Sequence, residues 1–205
     1  MTHADEQLLQ AWRGGDLDAG NALFARHFDA LCRFFRNKVG DEVDDLIQKT
    51  LLACLEGQHA FRGDASFKTW MFVVARHQLY AHLRRRHRDD ARFDPLTQSV
   101  LDLGTTPSEW AGRRESRRRV LDALQTLPVE HQLLLELYYW EDLSASEIGI
   151  VLEKPEGTIR TRLRRAKALL TAALGTGLAG AQMLDEDLRS AASMVHEGSP
   201  VRAGS

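Results

Sequence analysis

Three stretches of the chain carry residue types that suit contact with a polyanion or a charged protein surface. The first is Phe61-Arg-Gly-Asp-Ala-Ser-Phe-Lys-Thr-Trp70 and the helix after it. Placing Met71, Val74, Ala75 and Leu79 inward leaves Thr69, Arg76, Tyr80 and Arg84 on one outward face, bordered by Trp70. Cations interleaved with aromatic rings suit a separated DNA strand: the cations hold phosphates and the rings stack on unpaired bases. The second is Thr158–Lys167, where Ile159, Leu163, Ala166 and Leu170 form one face and Thr158, Arg160, Thr161, Arg164 and Arg165 the other. Arginine forks address guanine edges or phosphates, and the helix start is the part that enters a major groove. The third is acidic: Asp41, Glu42, Asp44 and Asp45 open a helix, with Gln48 sharing the outer face of Asp45. Acids there complement the helix dipole, and they also offer a surface to a basic protein.

The net charge of −2 conceals this segregation. Arginine clusters at 84–88 and 113–119 and a basic run at 154–167 stand against acidic groups at 41–45 and 185–187. Such a chain can serve nucleic acid and a protein partner together. Cys32 and Cys54 lack CxxC spacing and read as two reduced, buried thiols. The histidines form no ligand-like cluster, so no metal or other cofactor is expected. Paired carboxylates for metal, a defensible Ser/His/Asp order and a phosphate-cradling glycine loop are all missing, so no catalytic residue and no enzyme activity is expected. The start lacks signal-peptide blocks, and no apolar run approaches the roughly 20 residues that span a bilayer. A cytoplasmic monomer without membrane insertion is the expectation.

The elements that must position these residues are helical throughout. Helical spacing predicts helices over 5–13, 17–37, 41–56 and about 67–88, a compact first domain over 1–90. Periodicity then fades around Asp94-Pro95 and Thr105-Thr106-Pro107, which places a flexible linker at 91–112. A helix from Ser108 to Leu127 leads out of the linker into a second domain, 113–174, and is followed by one opened by Pro128. Ser144-Ala-Ser-Glu147 is a capping box for a short helix, Glu153–Gly157 is a tight connection, and Thr158 to about Ala173 is a basic helix. A short capped helix, a turn and a basic helix make a helix-turn-helix. The tail, 175–205, is expected to be partly disordered, with a weak amphipathic helix over 182–195 through Leu184, Leu188, Ala191 and Val195. The fold class is all-α: two small helical domains joined by a flexible linker, the C-terminal one carrying the helix-turn-helix.

Asp44-Asp-Leu-Ile-Gln-Lys-Thr-Leu51, Phe61–Trp70, Ala75-Arg76 and the arginine cluster resemble the second conserved region of extracytoplasmic-function sigma factors of bacterial RNA polymerase. Leu124–Pro128, Leu143-Ser144, Glu147-Ile148 and Pro155–Ala166 resemble their fourth region, in the same order and over roughly residues 5–173. The resemblance implies that Asp44, Asp45 and Gln48 bind core RNA polymerase. It implies that Phe61, Arg62, Asp64 and Ser66 capture a flipped base of the minus-ten promoter element and that Lys68, Thr69, Trp70 and Arg76 hold the melted strand. It assigns the minus-thirty-five element to Glu156, Thr158, Arg160, Thr161, Arg164 and Arg165, and adds an anti-sigma protein as a partner. Three positions depart from the family pattern: Lys49 where many relatives carry glutamate, His77 where many carry asparagine, and Glu153 where the turn usually carries glycine. Glu153 implies either backbone strain or a different turn. The competing reading, a conventional helix-turn-helix regulator that binds its operator without polymerase, accounts for 113–173 but not for the acidic helix and the Phe61–Trp70 segment.

Overall fold

The structure, a computed structural model, describes residues 3–59, 61, 63–86, 93–103, 115–175 and 181–197. Among them are nine α-helices and one isolated bridge, Ser99 to Pro128. The first domain holds α1 (His3–Arg13), α2 (Leu17–Arg36), α3 (Val43–Gly57) and α4 (Phe67–Arg86). The second holds α5 (Glu115–Thr126), α6 (Val129–Tyr139), α7 (Ala145–Leu152) and α8 (Glu156–Ala173), and α9 (Ala181–Glu197) follows. The expected start of α5 at Ser108 lies outside the described residues.

Local chemistry sets these boundaries. Gly15, at φ 99°, makes the break between α1 and α2, and the Asp16 carboxylate accepts from Ala19 N at 3.0 Å to cap α2. Ser66 caps α4 by accepting from Thr69 N at 3.0 Å. Ser144 and Glu147 form the expected reciprocal box. Trp12, Phe24 and Phe67 pack edge to face, with centroids 5.1 and 5.6 Å apart, above a core that includes Leu23, Leu31, Phe35, Leu46, Phe72 and Leu79. Both cysteines are buried free thiols, and burial pushes Cys54 up to about 12, which keeps it unreactive.

The two domains are joined by more than the linker. Leu133, Leu134 and Leu137 of α6 and Ile148, Val151 and Leu152 of α7 belong to the same apolar cluster as α1–α4. The described part of the linker, 93–103, lies along the start of α6: Val129 N donates to the Gln98 carbonyl at 2.9 Å and Glu130 N to that of Pro95 at 2.8 Å, while Val100 is fully buried. In the tail, residues 181–197 form a docked helix rather than a weak one. Leu184, Leu188, Ala191 and Val195 are buried in one cluster with Val120, Leu121, Leu124 and Trp140. The periodicity places that apolar stripe correctly; what the tail's glycine-rich entry obscures is the apolar face waiting on α5 and α6.

Burial holds three imidazoles below their ordinary value of 6.5: His27, against the opposing pull of Asp5; His82, against that of Glu42; and His131, with Arg165 adding to the shift. The unfolded chain therefore binds protons that the folded chain refuses. Their contribution to stability is whole above pH 6.5 and declines as the pH falls below it. Melting temperatures measured from pH 7.5 down to about 5.5 should fall, with His131→Leu flattening the slope. An identical slope in that variant would count against the His131 contribution.

Candidate nucleic-acid interface

The helix-turn-helix is built on a close approach. A Cβ on Gly149 would lie 2.7 Å from the Lys154 carbonyl oxygen, which is backbone, and Lys154 N donates to the Gly149 carbonyl at 2.9 Å. Gly149→Ala should cost about 1–3 kcal/mol of stability by forcing the turn off α7, read as a lowered denaturation midpoint. Glu153 ends α7 at φ 55°, ψ 45°. Of the two possibilities left by the sequence, the chain takes the first: it keeps the left-handed turn and places a strained glutamate in it.

Beyond the turn, α8 buries Ile159, Ala166 and Leu170 and half-buries Leu163. Glu156, Arg160, Thr161, Arg164 and Arg165 are exposed and Thr158 is half-buried, so all six expected contacts lie on or beside one open surface. Arg160 pairs with Glu156 one turn earlier, and Thr161 Oγ1 donates to the Gly157 carbonyl at 3.1 Å. Arg162 instead turns inward to an ion pair with buried Glu130.

The face of α4 is different. Met71, Ala75 and Leu79 are buried as expected, but Thr69 and Arg76, expected to face outward, are buried too, at 0% and 6% exposure. Solvent does not cover them; α7 and its flanks do. Arg76 Nη2 lies 2.6 Å from a Glu153 carboxylate oxygen and 2.6 Å from His77 Nε2, which is itself 3.2 Å from Glu153. Which of the two His77 serves depends on whether Nε2 carries its proton. Lys68 Nζ donates to the Glu141 carbonyl at 2.8 Å and pairs with its carboxylate at 2.9 Å. Thr69 Oγ1 is 3.5 Å from Glu147 and 2.7 Å from Ser66 Oγ. Tyr80 lies under Arg76, and burial pushes its phenol up to about 12 despite the guanidinium.

Phe61 and Trp70 stack at 4.8 Å and 19°, with Arg13 over the Phe61 ring and donating to the Phe61 carbonyl. Asp64 is exposed and Ser66 half-buried; Arg62 lies outside the described residues. The structure thus gathers Phe61, Ser66, Lys68, Thr69, Trp70 and Arg76 at the start and along one side of α4. Nothing in the local sequence marks Glu141, Glu147 and Glu153 as their partners. Its only traces were two departures from the family pattern, His77 and Glu153, seen singly.

A third surface lies between α2 and α3. Asp44 and Gln48 line a groove of about 510 Å³ between α2 and α3, floored by Phe24, Ile47 and Leu51 and edged by the exposed Phe28, Leu52 and Leu55. Asp45 is exposed beside it and pairs with Lys49. Among the described residues no group of His, Cys, Asp and Glu is placed to hold a metal ion, and no helix is long and apolar enough to cross a membrane.

Residues 23–89 match the family described as Sigma-70 region 2, and residues 117–170 that described as Sigma-70, region 4. The chain is 30% identical over 174 residues to the ECF RNA polymerase sigma factor SigM of Mycobacterium tuberculosis, covering 84% of this chain and 85% of that one. It is 26% identical over 175 residues to the ECF RNA polymerase sigma-E factor of Haemophilus influenzae, covering 81% and 93%. Among solved structures, CnrH in complex with the cytosolic domain of CnrY is similar at a TM-score of 0.63 and 25% identity, covering 84% of this chain and 97% of that one. The sigma factor RpoE of Bartonella quintana, in complex with the anti-sigma factor NepR, shares the fold at a TM-score of 0.60 and 22% identity, covering 76% and 96%.

Proposed function

Because the chain belongs to the extracytoplasmic-function sigma factors of RNA polymerase, we propose that its three surfaces divide the work of transcription initiation: the α2–α3 groove docks on core polymerase, α8 reads the minus-thirty-five element, and the Phe61–Arg76 segment takes the melted minus-ten strand. The chain is a sigma factor, and it supplies position rather than a catalytic step. It works in the cytoplasm as a monomer, on polymerase and promoter DNA, with an anti-sigma protein as its restraint. The domains of the work are 1–90 for docking and the minus-ten element and 113–174 for the minus-thirty-five element.

The observation that carries this reading is the α2–α3 groove. It has an acidic edge at Asp44, a hydrogen-bonding Gln48 and an apolar floor, and none of its lining residues belongs to either DNA-directed set. That chemistry fits a basic amphipathic helix of a protein partner and is of no use to DNA. Asp44→Arg should abolish co-elution with core polymerase on size exclusion while leaving the fold intact by circular dichroism. Retained co-elution would remove the docking site from this groove. A wild-type chain that binds duplex DNA alone but never polymerase would point to the conventional regulator.

On α8, Arg160→Ala and Arg165→Ala should each weaken promoter recognition by about 1–3 kcal/mol. Binding should also fall steeply with added salt as phosphate contacts release counterions. Normal transcription by both variants from every promoter tested would move the reading face elsewhere. Trp70→Ala should spare polymerase binding and reduce the permanganate reactivity of promoter thymines, since the ring stacks at the edge of the melting face. Full thymine reactivity in that variant would remove Trp70 from the melting step.

A further inference from the structure

The cations of the first domain and the carboxylates of the second meet along one seam. Arg33 and Lys68 both reach Glu141 at 2.9 Å, Lys38 pairs with Glu136, and Arg76 pairs with Glu153 at 2.6 Å. Thr69 adds its hydroxyl toward Glu147. In each of these pairs the basic or hydroxyl group comes from α2, the residues just past its end, or α4, and the carboxylate from α6, α7 or their flanks. Lys68, Thr69 and Arg76 are also three of the groups assigned above to the melted strand.

We propose that the acidic edge Glu141–Glu147–Glu153 is an intramolecular stand-in for the melted DNA strand, and that Glu153 is the latch that holds the free chain closed on Arg76 and His77. The contact is one of like chemistry: carboxylate oxygens take the places that phosphate oxygens would fill on a lysine, a threonine hydroxyl and a guanidinium. Glu153 does this from a left-handed backbone position where glycine would be unstrained, and its carboxylate finds its partners in the other domain. A strained residue whose side chain serves a distant partner points to a role outside its own turn. Burial alone would raise its carboxyl, yet the hydrogen bonds and charge of Arg76, joined by His77, hold it below the usual carboxylate range. The leucines shared between the domains would by themselves form a permanent core. Charges threaded among them are well solvated once exposed, which lowers the cost of separation. The closed chain leaves the α2–α3 groove and the outer face of α8 uncovered. It therefore presents its polymerase-docking and upstream-reading surfaces while withholding the one that engages an opened strand.

The latch stands on geometry, while its meaning for DNA rests on the minus-ten assignment above, so the test separates the two. Energy transfer is measured in the full chain between dyes on Asp18→Cys and Ala172→Cys, both exposed sites; native Cys32 and Cys54 are buried. Free wild type should give one high-transfer population. Glu153→Lys, which keeps the backbone strain but faces Arg76 with a like charge, should give a low-transfer population. The swap Arg76→Glu/Glu153→Lys should restore high transfer. An extended wild type, a Glu153→Lys chain as compact as wild type, or a swap that fails to close would each overturn the latch. None of these depends on polymerase, so the docking reading survives such a failure, and a failure of co-elution leaves the closure result standing. For the stand-in, a fluorescent oligodeoxythymidine should bind free Glu153→Gly at least ~10-fold tighter than wild type, because affinity scales with the open fraction. Equal binding by an opened variant would overturn the stand-in.

Discussion

Lys38→Met is expected to open the chain while leaving each domain folded. Lys38 is fully buried and Glu136 is 3% exposed, one at the end of α2 and the other in α6. Burial drives both toward their neutral forms: it lowers Lys38 against the pull of Glu136 and raises Glu136 against that of Lys38. What holds them is a network of hydrogen bonds. Lys38 Nζ also donates to the Phe34 carbonyl at 2.5 Å; Gln132 and Asn37 donate to the Glu136 carboxylate at 2.8 and 3.2 Å; and Gln125 donates to the Asn37 side-chain oxygen at 2.7 Å. Removing the lysine leaves a buried carboxylate with only neutral donors, a loss of roughly 3–5 kcal/mol if the seam stays shut. The chain has a cheaper course, which is to separate the domains and hydrate Glu136. The expected readout is a larger hydrodynamic radius with helical content unchanged. The double variant Lys38→Met/Glu136→Leu should close again, because apolar replacement of both partners removes the orphan. A single variant that stays compact with an unchanged melting temperature would show that the pair carries no part of the closure.

Helical spacing was enough to find α2, α3 and α8 and the apolar face of α8, because that period is a local property of each helix. The Ser144–Glu147 box set the start of α7 for a local reason: both partners lie within one turn. The same reasoning placed Thr69 and Arg76 outward, and the structure buries both against the second domain. Periodicity distinguishes a helix's core side from its other sides and carries nothing about a second domain arriving on one of them. Lys38 and Glu136 lie 98 positions apart, and His77 and Glu153 lie 76 apart. Each residue looked unremarkable or merely irregular alone, and the partner that explains it has no local trace. The open face of α8 and the acidic start of α3 were legible for the opposite reason, since each is contained within one helix.

The largest loss of all is expected from breaking the α9 dock. This helix lies beyond the residues that match the region 4 family, 117–170, yet it completes the core of the same domain. Leu184, Leu188 and Val195 are at most 2% exposed, and burying each contributes about 1.5–3 kcal/mol before the entropy of ordering is set against it. Polar ties fix the register: Trp140 Nε1 donates to the Leu188 carbonyl at 2.8 Å, the Tyr139 hydroxyl to Asp185 at 2.9 Å, and Lys167 pairs with Asp185 at 2.7 Å. Arg36 of α2 donates to the Val195 carbonyl at 2.5 Å, so the helix also touches the first domain. Ending the chain at Gly175 would uncover Leu121, Leu124 and Trp140 and leave the indole nitrogen without its acceptor. Such a chain should melt at a markedly lower temperature, bind an apolar dye and tend to associate. Because truncation changes length as well as packing, Leu188→Asp in the whole chain is the sharper test: it forces a carboxylate into an apolar site and should detach α9 at a cost of several kcal/mol. An unchanged melting temperature in that variant would mean that α9 is not docked in solution. If the variant melts early yet stays compact by energy transfer, α9 serves the second domain alone. If it also opens, the Arg36 tie makes α9 a second restraint on the same closure that Glu153 latches.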